Sequence, residues 1–384
     1  MTLFLLTFFL VYGGLHLYFF HRLRAAFTLP AGRQGAVGAV LLLLMAAPVL
    51  VRMAERRDYE TAAAVLSQAG YLWMALLFLF FVTALGLEWY RLAVFLTGRI
   101  ARRDLSRLFP PARVLFLAPL AAAVLLTGYG YAEALRVRTE HLEIATAKLP
   151  AGVERFRIVQ LADVHVGITV RGERLKGLVA AAEAAAPDVL VSTGDLVDGQ
   201  LDNLAESLAV LHRLPARYGK FAVTGNHEFY AGIDRALADN EKAGFRMLRG
   251  EAVPVAGLIA IAGVDDPVSM RNGAAPGVRE AELLSSLPSG TFRVLLKHRP
   301  LTDRDAEGKF DLQLSGHTHA GQIFPFNLVT NFVFPFHRGD FVLPGGGRLH
   351  VSRGTGTWGP PVRLFAPPEV TVIDITPLPG GHPR

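Results

Sequence analysis

Five short stretches in the second half of the chain carry side chains of the metal-ligating type. LADVHVG places Asp163 and His165 two positions apart, STGDLVDG holds Asp195, TGNHEFY holds Asn226 and His227, LLKHRP holds His298, and LSGHTHAGQ holds His317 and His319. Aspartate, asparagine and histidine without thiolate suit a hard or borderline divalent cation such as Mn, Fe, Zn or Co. The chain has no cysteine, which excludes disulfides, thiolate catalysis and Cys-ligated metal. With His227 set aside, Asp163, His165, Asp195, Asn226, His298, His317 and His319 exceed what one ion with an open position accepts. If one carboxylate bridges, two ions each receive about four protein ligands. Two metals about 3.5 to 4 Å apart can share a hydroxide and clamp the attacking and leaving oxygens of a phosphoryl transfer.

Taken singly, each stretch has an ordinary reading. Asp-x-His closes a strand, Gly-Asp and Gly-Asn-His are turn chemistry, and His298 before Arg-Pro is a loop histidine. Their joint order, each after an apolar run, carries the weight. Residues 155–161, 188–192 and 220–224 read as strands, alternating with helical patterns over 173–186, 203–214 and 233–243. That alternation predicts βαβ units around a buried parallel sheet. Residues 258–263, 292–296, 312–314, 349–352 and 370–375 read mostly as strands, giving a β-rich second half with a second sheet packed on the first. Functional groups in such folds sit past the carboxyl ends of strands. An extended backbone there directs Asp163 and His165 to one side.

The first half has a different texture. Hydrophobic residues make up 51% of the chain and the mean hydropathy is +0.34. Apolar runs cover residues 3–20, 36–51, 71–96 and 114–131. A membrane-crossing helix needs about 20 apolar residues, so the second run is short, and it carries Pro48. The first run lacks the basic start and small-residue cleavage site of a signal peptide, and is kept as a span. The expected organisation is an all-α transmembrane region of about four helices over 1–134, a linker over 135–154, an α/β domain over 155–376 and a disordered tail over 377–384.

Charge follows the same division. Up to residue 150 there are 15 Lys/Arg against 8 Asp/Glu, and after it 24 against 25. The basic excess lies beside the apolar runs, where it sets topology. No basic face is expected on the α/β domain, so nucleic acid is not an expected partner. Arginine bias across the loops favours both termini, and the α/β domain, outside the cytoplasm.

Asp-x-His, Gly-Asp, Gly-Asn-His-Glu, a lone His and Gly-His-x-His, in that order, resemble the calcineurin-like metallophosphoesterases over roughly residues 155–375. The AGQ after His319, the stretch RGTGTWGPPVRLFAPPE and the preceding anchor resemble a bacterial subgroup. It includes cell-wall or membrane phosphodiesterases and enzymes cleaving UDP-2,3-diacylglucosamine. The resemblance implies a four-layer α/β/β/α sandwich and two divalent ions. Asp163, His165 and His319 would hold one ion, Asn226, His298 and His317 the other, and Asp195 would bridge them. It also implies that His227 meets the substrate phosphate or leaving group, where an imidazole donates near neutral pH. Glu228 would orient His227 or cap a turn.

The expected function is that of a membrane-anchored metallophosphoesterase, a phosphodiesterase rather than a monoesterase, in a bacterial inner or cell membrane. Its substrate would be a phosphorylated small molecule or a lipid-linked phosphodiester or pyrophosphate, with membrane lipid as a partner. The alternative is a membrane sensor or scaffold whose phosphoesterase-like domain is non-catalytic, against which the intact ligand set argues. A transporter would carry ionisable residues near the midplanes of its spans, and the runs lack them. Phe324, Phe326, Phe332, Phe334, Phe336 and Trp358 crowd the region after the last motif. A core stripe is the expectation there, and a segment lying on a bilayer is the alternative. Arg338 and Arg363 are of a type that could grip a phosphate but are expected as ordinary surface residues, and Asp198 and Asp265 as turn residues rather than third-site ligands. His16, His21, His141, His212, His337, His350 and His382 are read as non-ligands.

Overall fold

A computed structural model describes residues 2–198, 204–271 and 277–378. The chain forms two compact units, Met1–Ala132 with Gly359–Val362, and Glu133–Trp358 with Arg363–Arg384.

The apolar runs fold as helices α1 (Thr2–Ala26), α2 (Ala31–Glu55), α3 (Glu60–Ala101) and α4 (Ala112–Ala134). Among the described residues, three stretches are long and apolar enough to cross a membrane: Ala31–Glu55, Glu60–Ala101 and Ser106–Ala134. The second run, short by hydropathy, becomes a 25-residue helix with Pro48 inside it. Helix-compatible residues on either side extend it past its apolar part. Helix α3 has 42 residues. At 1.5 Å per residue it is about 63 Å long, about twice a hydrocarbon core. Helices α2 and α3 touch through small residues: a Cβ on Gly70 would come within 2.4 Å of the Ala47 Cβ. Two polar pairs join α1 to α3, Trp73 Nε1 donating to His16 Nε2 at 2.9 Å and Arg22 meeting Glu88 at 2.9 Å.

The second unit runs β1 (Arg138–Thr146), β2 (Phe156–Leu161), α5 (Glu173–Ala184), β3 (Val189–Ser192), α6 (Ala205–His212), β4 (Lys220–Ala222), α7 (Asn226–Ala231), α8 (Ile233–Lys242) and β5 (Arg246–Met247). It continues with β6 (Glu251–Val255), β7 (Ile259–Gly263), α9 (Val268–Arg271), α10 (Glu280–Ser285), β8 (Phe292–Leu296) and β9 (Leu312–Ser315). It closes with α11 (Phe326–Val333), β10 (Gly339–Val342), β11 (Arg348–Val351) and β12 (Glu369–Pro377). One six-stranded sheet has the order β1-β12-β2-β3-β4-β5, the other β10-β11-β9-β8-β7-β6.

Strands β2 to β5 are mutually parallel, as are β7, β8, β9 and β11. Inward residues of the two sheets form one core, Ile158, Val191 and Phe221 meeting Ile261, Val294 and Leu314. Alternate residues such as Val159 and Leu190 lie on the opposite face of their sheet, because successive strand side chains point to opposite sides. Helix α5 buries Leu175, Leu178 and Ala182, one helical stripe. On the far side of the second sheet, Leu284 of α10 packs with Leu295, Phe310 and Leu349. The layers are those of an α/β/β/α sandwich.

Two boundaries need correction. The stretch expected as a linker, 135–154, contains β1, which pairs with β12 along nine residues from Arg138↔Glu369 to Thr146↔Pro377. The sequence does not mark it as a strand, because Ile144 is its one buried residue, as suits a sheet edge. Pro377 ends β12, and the Leu378 amide donates to Thr146 at 3.1 Å, so the expected tail begins inside the sheet. The rest of that tail lies outside the described residues.

Candidate metal centre

Strands β2, β3 and β4 run parallel in one sheet, β8 and β9 in the other, and their carboxyl ends deliver every candidate ligand. Asp163, His165, Asp195, Asn226, His227, His298 and His319 are all buried, and His317 nearly so. The expectation of an extended Asp163–His165 segment fails. Asp163, His165, Asp195, His317 and His319 all have φ between 48° and 74°, in the left-handed region. Five non-glycine residues held there form a strained constellation of the kind that surrounding structure must over-determine.

Side-chain distances sort the residues into clusters. Asp163, His165 and His319 bring ligand atoms within 4.8 Å of one another, and so do Asp195, His298 and His317. In the first, His165 Nε2 lies 3.1 Å from His319 Nε2, and His319 Nε2 lies 3.7 Å from Asp163 Oδ1. In the second, His298 Nε2 lies 3.0 Å from His317 Nδ1 and 3.2 Å from Asn226 Oδ1. Asp195 Oδ2 reaches into both, 3.8 Å from His165 Nε2 and 3.3 Å from His298 Nε2. Imidazole nitrogens and carboxylate oxygens thus converge on two adjacent points, a donor set that fits divalent cations of borderline hardness.

The ligand-type residues are themselves held. His298 Nδ1 lies 2.9 Å from the Thr193 carbonyl, which can only accept, so that nitrogen carries the proton and Nε2 keeps its lone pair toward the cluster. Both Asp163 oxygens accept from the His317 amide, at 3.0 and 2.9 Å. Of the two roles expected of Glu228, the structure has the turn cap at the start of α7 and not the orientation of His227. Its carboxylate accepts from the amides of Gly225 at 2.7 Å, Leu196 at 2.9 Å and Asp195 at 3.0 Å, tying the loop after β3 to the loop after β4.

His227 is oriented by Asp198 instead: Nδ1 stands 2.9 Å from Asp198 Oδ1, which lies 3.4 Å from His165 Nδ1. Burial works against the Asp198 charge, and the His165 and His227 imidazoles outweigh it and hold the carboxyl low. Burial likewise works to lower the His227 pKa, and the carboxylates of Asp195 and Asp198 outweigh it, raising it to about 9. Asp198 was read from the sequence as a turn residue, because Gly-Asp-Leu-Val-Asp-Gly offers nothing against that reading. Asp265, the other, accepts from Thr224 Oγ1 at 2.9 Å and pairs with Arg249 at 2.8 Å.

Arg363 is a second correction, fully buried rather than on the surface. It donates to the carbonyls of Arg353 at 2.6 Å, His319 at 3.1 Å and Ala366 at 3.3 Å, and Nη2 lies 3.1 Å from His319 Nδ1. Burial and this neighbouring cation hold the His319 imidazole neutral. No local signal marks Arg363, since the partner that ties it to the site, His319, lies 44 positions away.

The aromatic segment departs furthest from its expected core stripe. Phe332 is 90% exposed, Leu328 63% and Val333 58%. Two of the aromatics do meet the site: Phe334 stacks edge-on against His317 at 5.3 Å and Trp358 against His227 at 5.7 Å. Trp358 is fastened by Gln322, whose side chain donates to its carbonyl at 2.9 Å and accepts from its amide at 3.0 Å. The other histidines stand in none of the metal-type clusters found among the described residues. His382 lies outside those residues.

Comparison with known proteins gives this arrangement its context. The sequence profile of the calcineurin-like phosphoesterases matches residues 156–321, which hold all eight residues of the site. An uncharacterized metallophosphoesterase of Aquifex aeolicus is 42% identical over 66% of this chain and 97% of its own length. One from Campylobacter jejuni is 29% identical over 95% of this chain and 96% of its own. A zebrafish protein named as a transmembrane protein with metallophosphoesterase domain is 32% identical over 67% of this chain and 61% of its own. With those motifs at those strand ends, the chain belongs to the calcineurin-like metallophosphoesterase family.

Proposed function

We propose that the chain is a membrane-anchored phosphoesterase that uses two divalent cations to hydrolyse a phosphodiester or pyrophosphate bond. The observation that carries this is Asp195, whose Oδ2 stands within 3.8 Å of one cluster and 3.3 Å of the other. Asp163, His165 and His319 would hold one cation, Asn226, His298 and His317 the second, with Asp195 shared. Mn, Fe, Zn or Co all suit these donors. Bound there, the cations supply positive charge to the phosphoryl oxygens and lower the pKa of water.

The protein's own groups divide the remaining work. His227, held at Nδ1 by Asp198, keeps a proton near the site and delivers it to the leaving oxygen. That step suits an alkyl phosphoester, whose alkoxide leaving oxygen needs a proton more than a phenolate or a pyrophosphate's phosphate does. Trp358 and Phe334 shield the imidazoles behind them from water. The α/β unit is read as extracytoplasmic on arginine bias, in a bacterial cell membrane.

Asp195→Asn in the full-length protein, assayed on bis-p-nitrophenyl phosphate with Mn or Zn, tests the reading. Turnover is expected to disappear while the circular dichroism spectrum stays native. Full activity in that variant sinks the shared-carboxylate assignment. Absence of turnover by the metal-loaded wild-type protein on every phosphoester tried would leave a non-catalytic sensor.

A further inference from the structure

Helix α11 is built inside out for a water-soluble unit. Its sequence is FNLVTNFV, and the residue it buries is Thr330, whose hydroxyl turns back on the Phe326 carbonyl at 3.3 Å. Leu328, Val329, Phe332 and Val333 face outward, between 52% and 90% exposed. Scattered apolar residues on a surface are ordinary, but a contiguous patch rarely stays uncovered.

The patch continues to the point where the chain enters the second unit. Phe324, just before α11, meets Phe365 edge-on at 5.8 Å, and the two rings are 41% and 58% exposed. The Phe365 amide donates to Glu133 Oε2 at 2.8 Å, and Arg174 Nη2 donates to the Ala134 carbonyl at 3.4 Å. Glu133 and Ala134 are the last residues of α4, at the end of a stretch apolar enough to cross a membrane. Four residues later, at Arg138, β1 begins, so only residues 135–137 separate that stretch from the sheet. The other end of the patch is the site, where Phe334 adjoins His317.

From this continuity we infer that α11, with Phe324 and Phe365, lies in the bilayer interface and presents phosphoesters embedded there to the site. The occupant of the patch is lipid. Acyl chains of a lipid-linked substrate lie along the Leu328–Phe332 face while the phosphate enters beside Phe334. The lipid contact stands independently of the proposed hydrolysis. The statement about substrate rests on it.

Because the chain is free of cysteine, single probes are simple to place. Full-length Phe332→Cys and, as control, Glu241→Cys on α8 would carry an environment-sensitive fluorophore. Both would be reconstituted in phosphatidylethanolamine–phosphatidylglycerol vesicles containing nitroxide-labelled lipid. The probe at 332 is expected to shift to the blue and be quenched, and the probe at 241 to do neither. A water-exposed, unquenched probe at 332 overturns the inference. So does a blue-shifted probe that lipid does not quench, which would mean that a second copy or another protein covers the patch.

The activity arm uses Leu328→Asp with Phe332→Asp. Turnover of a diacyl phosphatidyl-p-nitrophenol in vesicles is expected to fall about tenfold or more, with bis-p-nitrophenyl phosphate hydrolysis within about twofold of wild type. Equal losses on both substrates overturn the substrate assignment. If Asp195→Asn keeps its activity, the metal reading fails while the probe at 332 still reports the bilayer.

Discussion

Glu228→Gln isolates what a buried carboxylate does for the site without touching a proposed ligand. Burial pushes this carboxyl up, yet the three amides it meets are donors, so it accepts as the ionised form. One oxygen takes Asp195 and Gly225, the other Leu196. A glutamine can keep the first pair with its carbonyl, but its NH2 then faces the Leu196 amide, donor against donor. The orphaned amide costs about 1–3 kcal/mol, and loss of charge from the remaining bonds about 1 more, giving about 3 kcal/mol in total. For a unit of this size that is a fall in Tm of about 6–12 °C. Because the freed backbone carries Asp195 and Asn226, metal affinity should fall about 10- to 100-fold, as when outer partners of ligands are removed. Chelator-treated full-length protein titrated with Mn by calorimetry, beside thermal unfolding by circular dichroism, reads both. Wild-type affinity and wild-type Tm together would refute the idea that Glu228 holds the two loops.

Other substitutions probe different supports. Arg363→Met removes a guanidinium that serves five carbonyls, those of His319, Arg353, Gly354, Gly356 and Ala366, and the His319 ring, and should cost about 3–5 kcal/mol, or roughly 10 °C in Tm; Arg363→Lys should recover little, lacking the planar fork. Gly225→Ala would put a Cβ 2.1 Å from Asp195 Oδ1 and 2.6 Å from its amide, so turnover should fall about a hundredfold or more, with bis-p-nitrophenyl phosphate as the readout. Asp198→Asn keeps the shape beside His227 but removes its charge; kcat should fall about a hundredfold with KM little changed, and an unchanged kcat would mean that His227 needs no such partner.

How much of this was legible beforehand depends on where each signal resides. Asp163, Asp195, Asn226 and His317 sit beside strands whose apolar runs are local, so both the strand and the ligand can be read together. The ranges for β8 and the start of α5 were also read as the structure has them, because β-branched and Ala-rich runs are unambiguous. Strand β1 was not, since an edge strand with one buried residue resembles a linker. Arg363 and Asp198 were missed for a related reason: what makes them matter is a partner 44 or 29 positions away, and sequence spacing says nothing about such closures. The Asp163–His165 pair was found, but by way of a wrong backbone, because alternation cannot register a left-handed φ. With α11 the error was one of sign, an amphipathic pattern giving a face without saying what it faces.

The two sheets contribute unequally to each cluster. Asp163 and His165 come from one layer and His319 from the other; Asn226 comes from one, His298 and His317 from the other. A cation in either place would be a stitch through the seam between layers rather than an ornament on one of them. Slippage of one sheet along the other, from a truncation as distant as Ile261→Ala, would then register as weaker chelation before any strand came apart. On the two-cation proposal, a fragment bearing one sheet alone would hold neither ion, and the chain would have to pass His319 before it could take up metal.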